Sequence, residues 1–162
     1  MLKQDYDIVV IGGGSGGLTA AVGLAKISKS VLLIERERLG GECTNSGCIP
    51  SKALLHRAKT YHQAISLAGE TGQTKAYRNE SLDYVRTKIK AILAEETPVT
   101  FEALGITVLM GEAIFAGPNR LTVGDNTYHF KKAIIATGSA PRPLTIEGLT
   151  PDKILTNQTS SL

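Results

Sequence analysis

Apolar residues along the chain fall into two kinds of pattern. Short β-branched runs read as buried strands of a parallel sheet: Asp7-Ile8-Val9-Val10-Ile11, then Ser30-Val31-Leu32-Leu33-Ile34-Glu35, and later Lys132-Ala133-Ile134-Ile135-Ala136. Between the first two lie Gly12-Gly13-Gly14-Ser15-Gly16-Gly17 and a stretch from Leu18 to Ser28 whose Ala and Leu content suits a helix packed closely on a sheet. Strand, glycine turn, helix and strand predict a right-handed βαβ unit. Longer stripes at helical spacing follow. Ala53, Leu54, Ala58, Tyr61, Ile65 and Leu67 predict a helix from Cys48 to about Leu67. Leu82, Val85, Ile89, Ile92 and Leu93 predict another, capped at Ser81-Leu82-Asp83. Between them, residues 69–80 are polar and aperiodic and read as a surface loop. Thr97-Pro98 restarts the second helix, with threonine as cap and proline at the first helical position, where its missing N–H costs nothing. A kinked or two-piece helix ending near Gly105 is expected. Ile106 to Phe115, Arg120 to Val123 and Thr127 to Phe130 read as strands, the last two joined by a turn at Gly124-Asp125-Asn126. The expected class is α/β: a parallel sheet plus a small antiparallel hairpin or meander.

Composition narrows the classes of function. With 42% hydrophobic residues in 162, the chain can bury a real core at the size of one domain. Its 18 Lys and Arg are interleaved with 15 Asp and Glu, which argues against a nucleic-acid partner, since that needs a concentrated basic face. The N-terminus lacks the basic-then-apolar order of a signal peptide, and the longest apolar runs are strand-sized, far short of a membrane span. A cytoplasmic location with no membrane partner is the expectation. In that compartment a cysteine pair is more often catalytic or metal-binding than structural.

Gly12, Gly14 and Gly17 fit G-x-G-x-x-G, in which the glycines permit a tight turn, backbone approach to a pyrophosphate, and close helix–strand packing. The helix N-terminus then offers unpaired N–H groups and its positive dipole end to phosphates. The loop follows a strand and opens a helix, and an acid, Glu35, stands about 20 residues on at a strand end, placed to accept hydrogen bonds from ribose hydroxyls. The alternative is a packing turn that binds nothing. The loop alone does not choose between NAD and FAD.

Cys43 and Cys48 are the two cysteines of the chain. Residues five apart in a regular helix have Cα atoms about 8.6 Å apart, beyond disulfide reach, so a bridge requires the chain to leave regular helix, which Asn45-Ser46-Gly47 permits. Such a strained, exposed pair is labile and suited to redox turnover, and a low thiolate pKa at a helix start fits that use. Two other uses compete: a structural disulfide, and a zinc site with His56 and His62, whose central spacing is short for a finger.

The run from Gly40 to Cys43 and from Cys48 to Lys52, with the glycine loop ahead of it, resembles the flavoprotein disulfide reductases, the family of dihydrolipoamide dehydrogenase, glutathione reductase and mercuric reductase. Ala136-Thr137-Gly138-Ser139 is similar to that family's second FAD-contacting motif, and Gly111-Glu112-Ala113 to its adenine-contacting strand. The likeness runs over essentially the whole chain and leans toward the dihydrolipoamide dehydrogenase and mercuric reductase branches. It implies a Rossmann-like FAD-binding domain over residues 1–150, with 151–162 a linker toward a missing NAD(P)-binding domain. Gly12, Gly14, Ser15 and Gly17 would hold the FAD pyrophosphate and Glu35 the ribose, and Gly41, Ala113, Thr137 and Gly138 would also contact the cofactor. Cys48 would make the charge-transfer contact with the flavin, Cys43 would be the interchange thiol, and Lys52 would favour the reduced flavin. Electrons would pass from NAD(P)H to FAD, to the Cys43–Cys48 disulfide, and on to a small-molecule or protein disulfide, or a metal ion. No resident metal is implied. Relatives are homodimers whose partner subunit supplies a His–Glu base, so the chain reads as a catalytically incomplete N-terminal portion of a longer enzyme. A non-catalytic dinucleotide-binding module or redox sensor is the alternative. One residue departs from the pattern: Glu42 stands where the best-known members carry threonine, and a carboxylate there raises the thiol pKa unless it points away or is paired.

Overall fold

The computed structural model describes residues 5–68 and 74–157. In chain order these form β1 (Asp5–Ile11), α1 (Ser15–Lys26), β2 (Val31–Glu35), α2 (Gly41–Asn45), α3 (Cys48–Ala68), α4 (Thr74–Leu93) and α5 (Pro98–Glu102). Then come β3 (Ile106–Met110), β4 (Ala113–Gly117), β5 (Arg120–Val123), β6 (Asn126–Ile135) and a turn of 3-10 helix at Pro151–Lys153. Among the described residues no helix is long and apolar enough to cross a membrane. The chain divides into two compact units, one containing residues 5–41 and 93–138, the other residues 42–92 and 139–157 where described.

The first unit is the sheet. Its order is β3-β2-β1-β6-β5-β4, with β3, β2, β1 and β6 parallel and the β6-β5-β4 end antiparallel. This is the expected Rossmann-like α/β class with its meander. Successive strand residues point to opposite faces, so one register supplies two cores. Val10, Val31, Leu33 and Ile106 pack with Leu18 and Ala21 of α1 and Phe101 of α5. Val9, Leu32 and Ile34 pack with Leu121, Tyr128 and Phe130 of the meander. Leu32 and Leu33 are sealed from water, each worth about 1.5–3 kcal/mol of transfer free energy, which is why this run lacks the polar alternation of a half-exposed strand. Asp7 pins the strand starts together: its Oδ2 accepts from the backbone N–H and hydroxyl of Ser30 (3.1 and 3.0 Å), and its Oδ1 from Lys131 Nζ (2.7 Å). Lys131 first, then Ser30, hold the Asp7 carboxyl far below the usual carboxylate range.

Thr97 caps α5 as expected, its hydroxyl accepting from Thr100 N–H at 3.3 Å, with Pro98 opening the helix. The two-piece helix is therefore α4 and α5, and Gly105 follows with φ +82°. Three expectations need correction. Helix α4 begins at Thr74, so residues 74–80 are not loop and Ser81 is a buried position inside the helix, not its cap. The Lys-, Ala-, Arg- and Glu-bearing sequence there has helix propensity without an apolar stripe; residues 69–73 lie outside the described part. The run from Ile106 to Phe115 is two strands, because Gly111 (φ +155°) turns the chain and β3 and β4 take opposite edges of the sheet. Finally, Lys132 to Ala136 is not a separate buried strand. It is the end of the ten-residue β6, whose Ile135 is 68% exposed. Strand β5 pairs with β6 only over residues 126–129; beyond Phe130, β6 has β1 on one side and, among the described residues, no strand on the other.

Candidate functional site

The parallel strands deliver their C-terminal ends to one place. Gly12 N–H donates to Ile34 O and Ala136 N–H to Ile11 O, both at 2.8 Å, so the ends of β2, β1 and β6 are tied side by side where open α/β sheets bind ligands. Gly12 turns there with φ +106°, and a Cβ on it would lie 2.2 Å from Ala136 O. A Cβ on Gly17 would lie 1.8 Å from Gly12 O, so α1 packs against the turn more closely than any side chain allows. Gly14 is the N-cap of α1 and provides no side-chain acceptor, which leaves the N–H groups of the first turn, from Ser15 on, available to an outside anion. Gly40 N–H donates to Gly13 O (2.9 Å), which lays Gly41 along the same turn.

Glu35 closes the other side. Its Oε2 accepts from Gly13 N–H at 2.6 Å and its Oε1 from Glu37 N–H at 2.7 Å. The carboxylate is therefore fixed in orientation, while each oxygen keeps a further lone pair for a donor such as a ribose hydroxyl. A cavity of about 180 Å³ opens beside it, and the sequence-predicted Gly12, Glu35, Ala113 and Thr137 share its lining. Gly138 follows Thr137 with φ +73° and is exposed. Gly111 and Glu112, which precede Ala113 in the run likened to the adenine-contacting strand, also line the cavity, as does Arg36, which the sequence did not single out. Gly111 is held there by its N–H bond to Glu35 O (2.7 Å), and a glycine interrupting a β-branched run was the signal for it. Helix-end N–H groups, a glycine cradle and a fixed strand-end carboxylate suit a dinucleotide, with diphosphate on α1 and ribose on Glu35.

The thiols belong to the second unit. Helix α2 ends at Asn45 and α3 starts at Cys48, so the chain leaves regular helix between the cysteines as the spacing argument requires. Both thiols are free: Cys43 is half-buried and Cys48 exposed. The neighbouring Cys48 thiol and then burial push the Cys43 thiol above its ordinary value. The Cys48 backbone N–H and the Lys52 ammonium pull it down without prevailing. The low thiolate pKa suited to redox use is thus not found at Cys43. Lys52 is exposed, and its charge reaches the Cys43 sulfur. Glu42 is exposed and paired, its Oε1 accepting from Asn157 Nδ2. His56 stacks on Tyr84 at 6.3 Å, and among the described residues no three His, Cys, Asp or Glu side chains gather as a metal-holding group.

A thiol raised by its neighbour is slow to alkylate. In the reduced protein, Cys48→Ala removes the principal cause, so the Cys43 pKa falls toward the ordinary thiol range and its iodoacetamide reaction at pH 8 speeds up several-fold. An unchanged pH profile would mean that the neighbouring thiol does not govern Cys43.

A family model described as pyridine nucleotide-disulphide oxidoreductase matches residues 6–161. The chain is 38% identical over 149 residues to the dihydrolipoyl dehydrogenase of Manduca sexta, which covers 86% of this chain and 30% of that protein. It is 38% identical over 142 residues to that of Thermus scotoductus, covering 87% and 31%. Among solved structures, a mutant of the HOCl-induced flavoprotein disulfide reductase RclA from Escherichia coli, in complex with Cu(II), matches with a TM-score of 0.55 and 31% identity, over 88% of this chain and 31% of that one. The chain spans under a third of the length of these relatives.

Proposed function

The chain belongs to the pyridine nucleotide-disulphide oxidoreductase family, and from that premise we propose that it is the FAD-binding part of an NAD(P)H-dependent dithiol/disulfide oxidoreductase. The observation that carries this reading is the thiol pair: two free thiols on either side of a break between helices, near enough that the Cys48 thiol raises that of Cys43 while the Lys52 charge lowers it. FAD, when bound, would supply a two-electron store between a nicotinamide donor and the thiols. Gly14, Ser15 and Gly17 would hold its diphosphate by backbone N–H groups, with Gly12 turning the chain so that the backbone can approach it; Glu35 would take the ribose, and Gly41, Ala113, Thr137 and Gly138 would complete the contacts.

The thiols do the exchange. Cys43, as thiolate, attacks one sulfur of the substrate disulfide; a mixed disulfide forms and the first substrate thiolate leaves, taking up a proton. Cys48, as thiolate, then attacks the Cys43 sulfur, releasing the second thiolate and leaving the Cys43–Cys48 disulfide to be reduced again. Since Cys43 is held as the thiol, the first attack needs a base to take its proton. Lys52 assists by its positive charge. The dihydrolipoyl dehydrogenases among the relatives favour a small dithiol or disulfide as partner, and the Cu(II) complex of RclA makes a metal ion the other candidate. The same reading gives a homodimeric parent enzyme, a nicotinamide site outside residues 1–150, and a cytoplasmic setting whose reducing poise keeps such thiols cycling.

The test is retention of flavin. The chain, incubated with FAD and desalted, keeps the visible flavin band. Glu35→Ala weakens FAD binding by roughly tenfold or more, because both the ribose acceptor and the Gly13 anchor are lost. A folded wild-type sample that leaves the column colourless would overturn the assignment of the site to FAD.

A further inference from the structure

Glu42 places a carboxylate one residue before Cys43, in the same short helix α2. Left free, it could turn toward the sulfur and disfavour the thiolate. In the structure it is occupied: Asn157, 115 residues further along and just beyond the 3-10 turn Pro151–Lys153, donates its side-chain amide to Glu42 Oε1. Both residues belong to the second compact unit. The groups acting on the Cys43 proton are the Cys48 thiol and backbone N–H, burial, and Lys52; Glu42 is not among them. Nor are Asp152 and Lys153, the charged residues of the turn that precedes Asn157, both exposed.

We infer that Asn157 is a positioning residue, holding the Glu42 carboxylate away from Cys43 and so setting how readily that thiol enters exchange. Threonine, the residue that the resemblance leads one to expect at position 42, would need no such partner. With glutamate there, the reactive cysteine depends on a contact from the far end of the sequence. The inference takes Cys43 as the exchange thiol, in line with the proposed function, but it concerns the ionisation of Cys43 and is tested without turnover.

The reduced protein is pulse-alkylated with iodoacetamide between about pH 7 and 10. Tryptic peptide 39–52 is then fragmented to separate Cys43 from Cys48. Asn157→Ala moves the Cys43 profile up by roughly half a pH unit, a modest shift because the released carboxylate stays hydrated. Glu42→Gln alone leaves the profile near that of the native protein, since the amide oxygen still accepts the bond. The Glu42→Gln/Asn157→Ala double variant also returns to the native profile. Asn157→Asp, close in shape and repelling Glu42, shifts the profile at least as far and is likewise rescued by Glu42→Gln. An unmoved profile in both single Asn157 variants overturns the inference, and so does a shift that persists when Glu42 is glutamine. Flavin retention is measured on the same samples, so a missing shift with flavin still bound counts against Asn157 and leaves the proposed function standing.

Discussion

In the full-length parent enzyme, Cys48→Ser keeps its flavin and loses disulfide reduction by about a thousandfold or more. The size follows from what each thiol does. Cys43 can still attack a substrate disulfide, but serine at position 48 cannot displace it, so the reaction stops at the first covalent product. That product is a second readout. Cys48→Ser accumulates a mixed disulfide on Cys43, visible as an intact-mass increase equal to one half of the substrate, whereas Cys43→Ser forms far less of it. The half-buried position of Cys43 and the exposed position of Cys48 do not by themselves order the two roles, so the trapped adduct is the discriminating result. Retained reductase activity in Cys48→Ser would end the assignment of the pair as the redox centre.

Gly17→Ala has the next largest expected effect, and it acts through packing. The added carbon would come within 1.8 Å of Gly12 O, with Gly12 C at 3.0 Å and the Ala136 Cβ at 3.4 Å. The nearest of these are backbone atoms of the turn itself, so no flexible side chain can swing aside; α1 must lift off the strand ends. Overpacking of this kind costs about 1–3 kcal/mol and lowers Tm by roughly 2–12 °C in a domain of this size. Flavin retention falls with it, because the same lift withdraws the first-turn N–H groups from the diphosphate. Gly23→Ala is the control on the same helix. Nothing lies within 4 Å of its Cβ position, so replacing glycine in a helix interior stabilises by about 0.5–1 kcal/mol. Opposite signs in the two melting curves establish that the close approach, and not helix propensity, fixes residue 17 as glycine. A Gly17→Ala protein that melts and binds flavin like the native one would contradict the packing described for the turn.

These two sites differ in how far the sequence alone reveals them. The βαβ start was legible because local signals agree: a β-branched run, glycines at fixed offsets, and an acid at the next strand end. Thr97-Pro98 was legible for the same reason, since a cap is made by neighbours in sequence. The residues that were missed depend on distant partners. Nothing near residues 106–115 indicates that β3 and β4 lie on opposite edges of the sheet, so an apolar run broken only by Gly111-Glu112 reads as one strand. Residues 74–80 form helix without an apolar stripe, and a periodicity argument passes over them. At the candidate site, the position of Glu35 was evident, but its bonds to Gly13 and Glu37 were not. For Glu42 the sequence posed the correct question, whether the carboxylate is paired, and the answer lay 115 residues away.

The far half of β6 has a further consequence, for handling the protein rather than for its chemistry. Where β5 stops, the backbone N–H and C=O groups along one side of residues 131–135 are left without a strand among the described residues, next to the exposed Ile135. An open, apolar sheet border invites intermolecular pairing. Lys131 and Lys132 stand at the start of that border, both exposed, where their charge opposes the stacking of identical chains. Lys131 is partly neutralised by Asp7, so much of this gatekeeping falls to Lys132. The colloidal stability of the purified chain therefore rests chiefly on Lys132, since the charge of Lys131 is also engaged in holding Asp7.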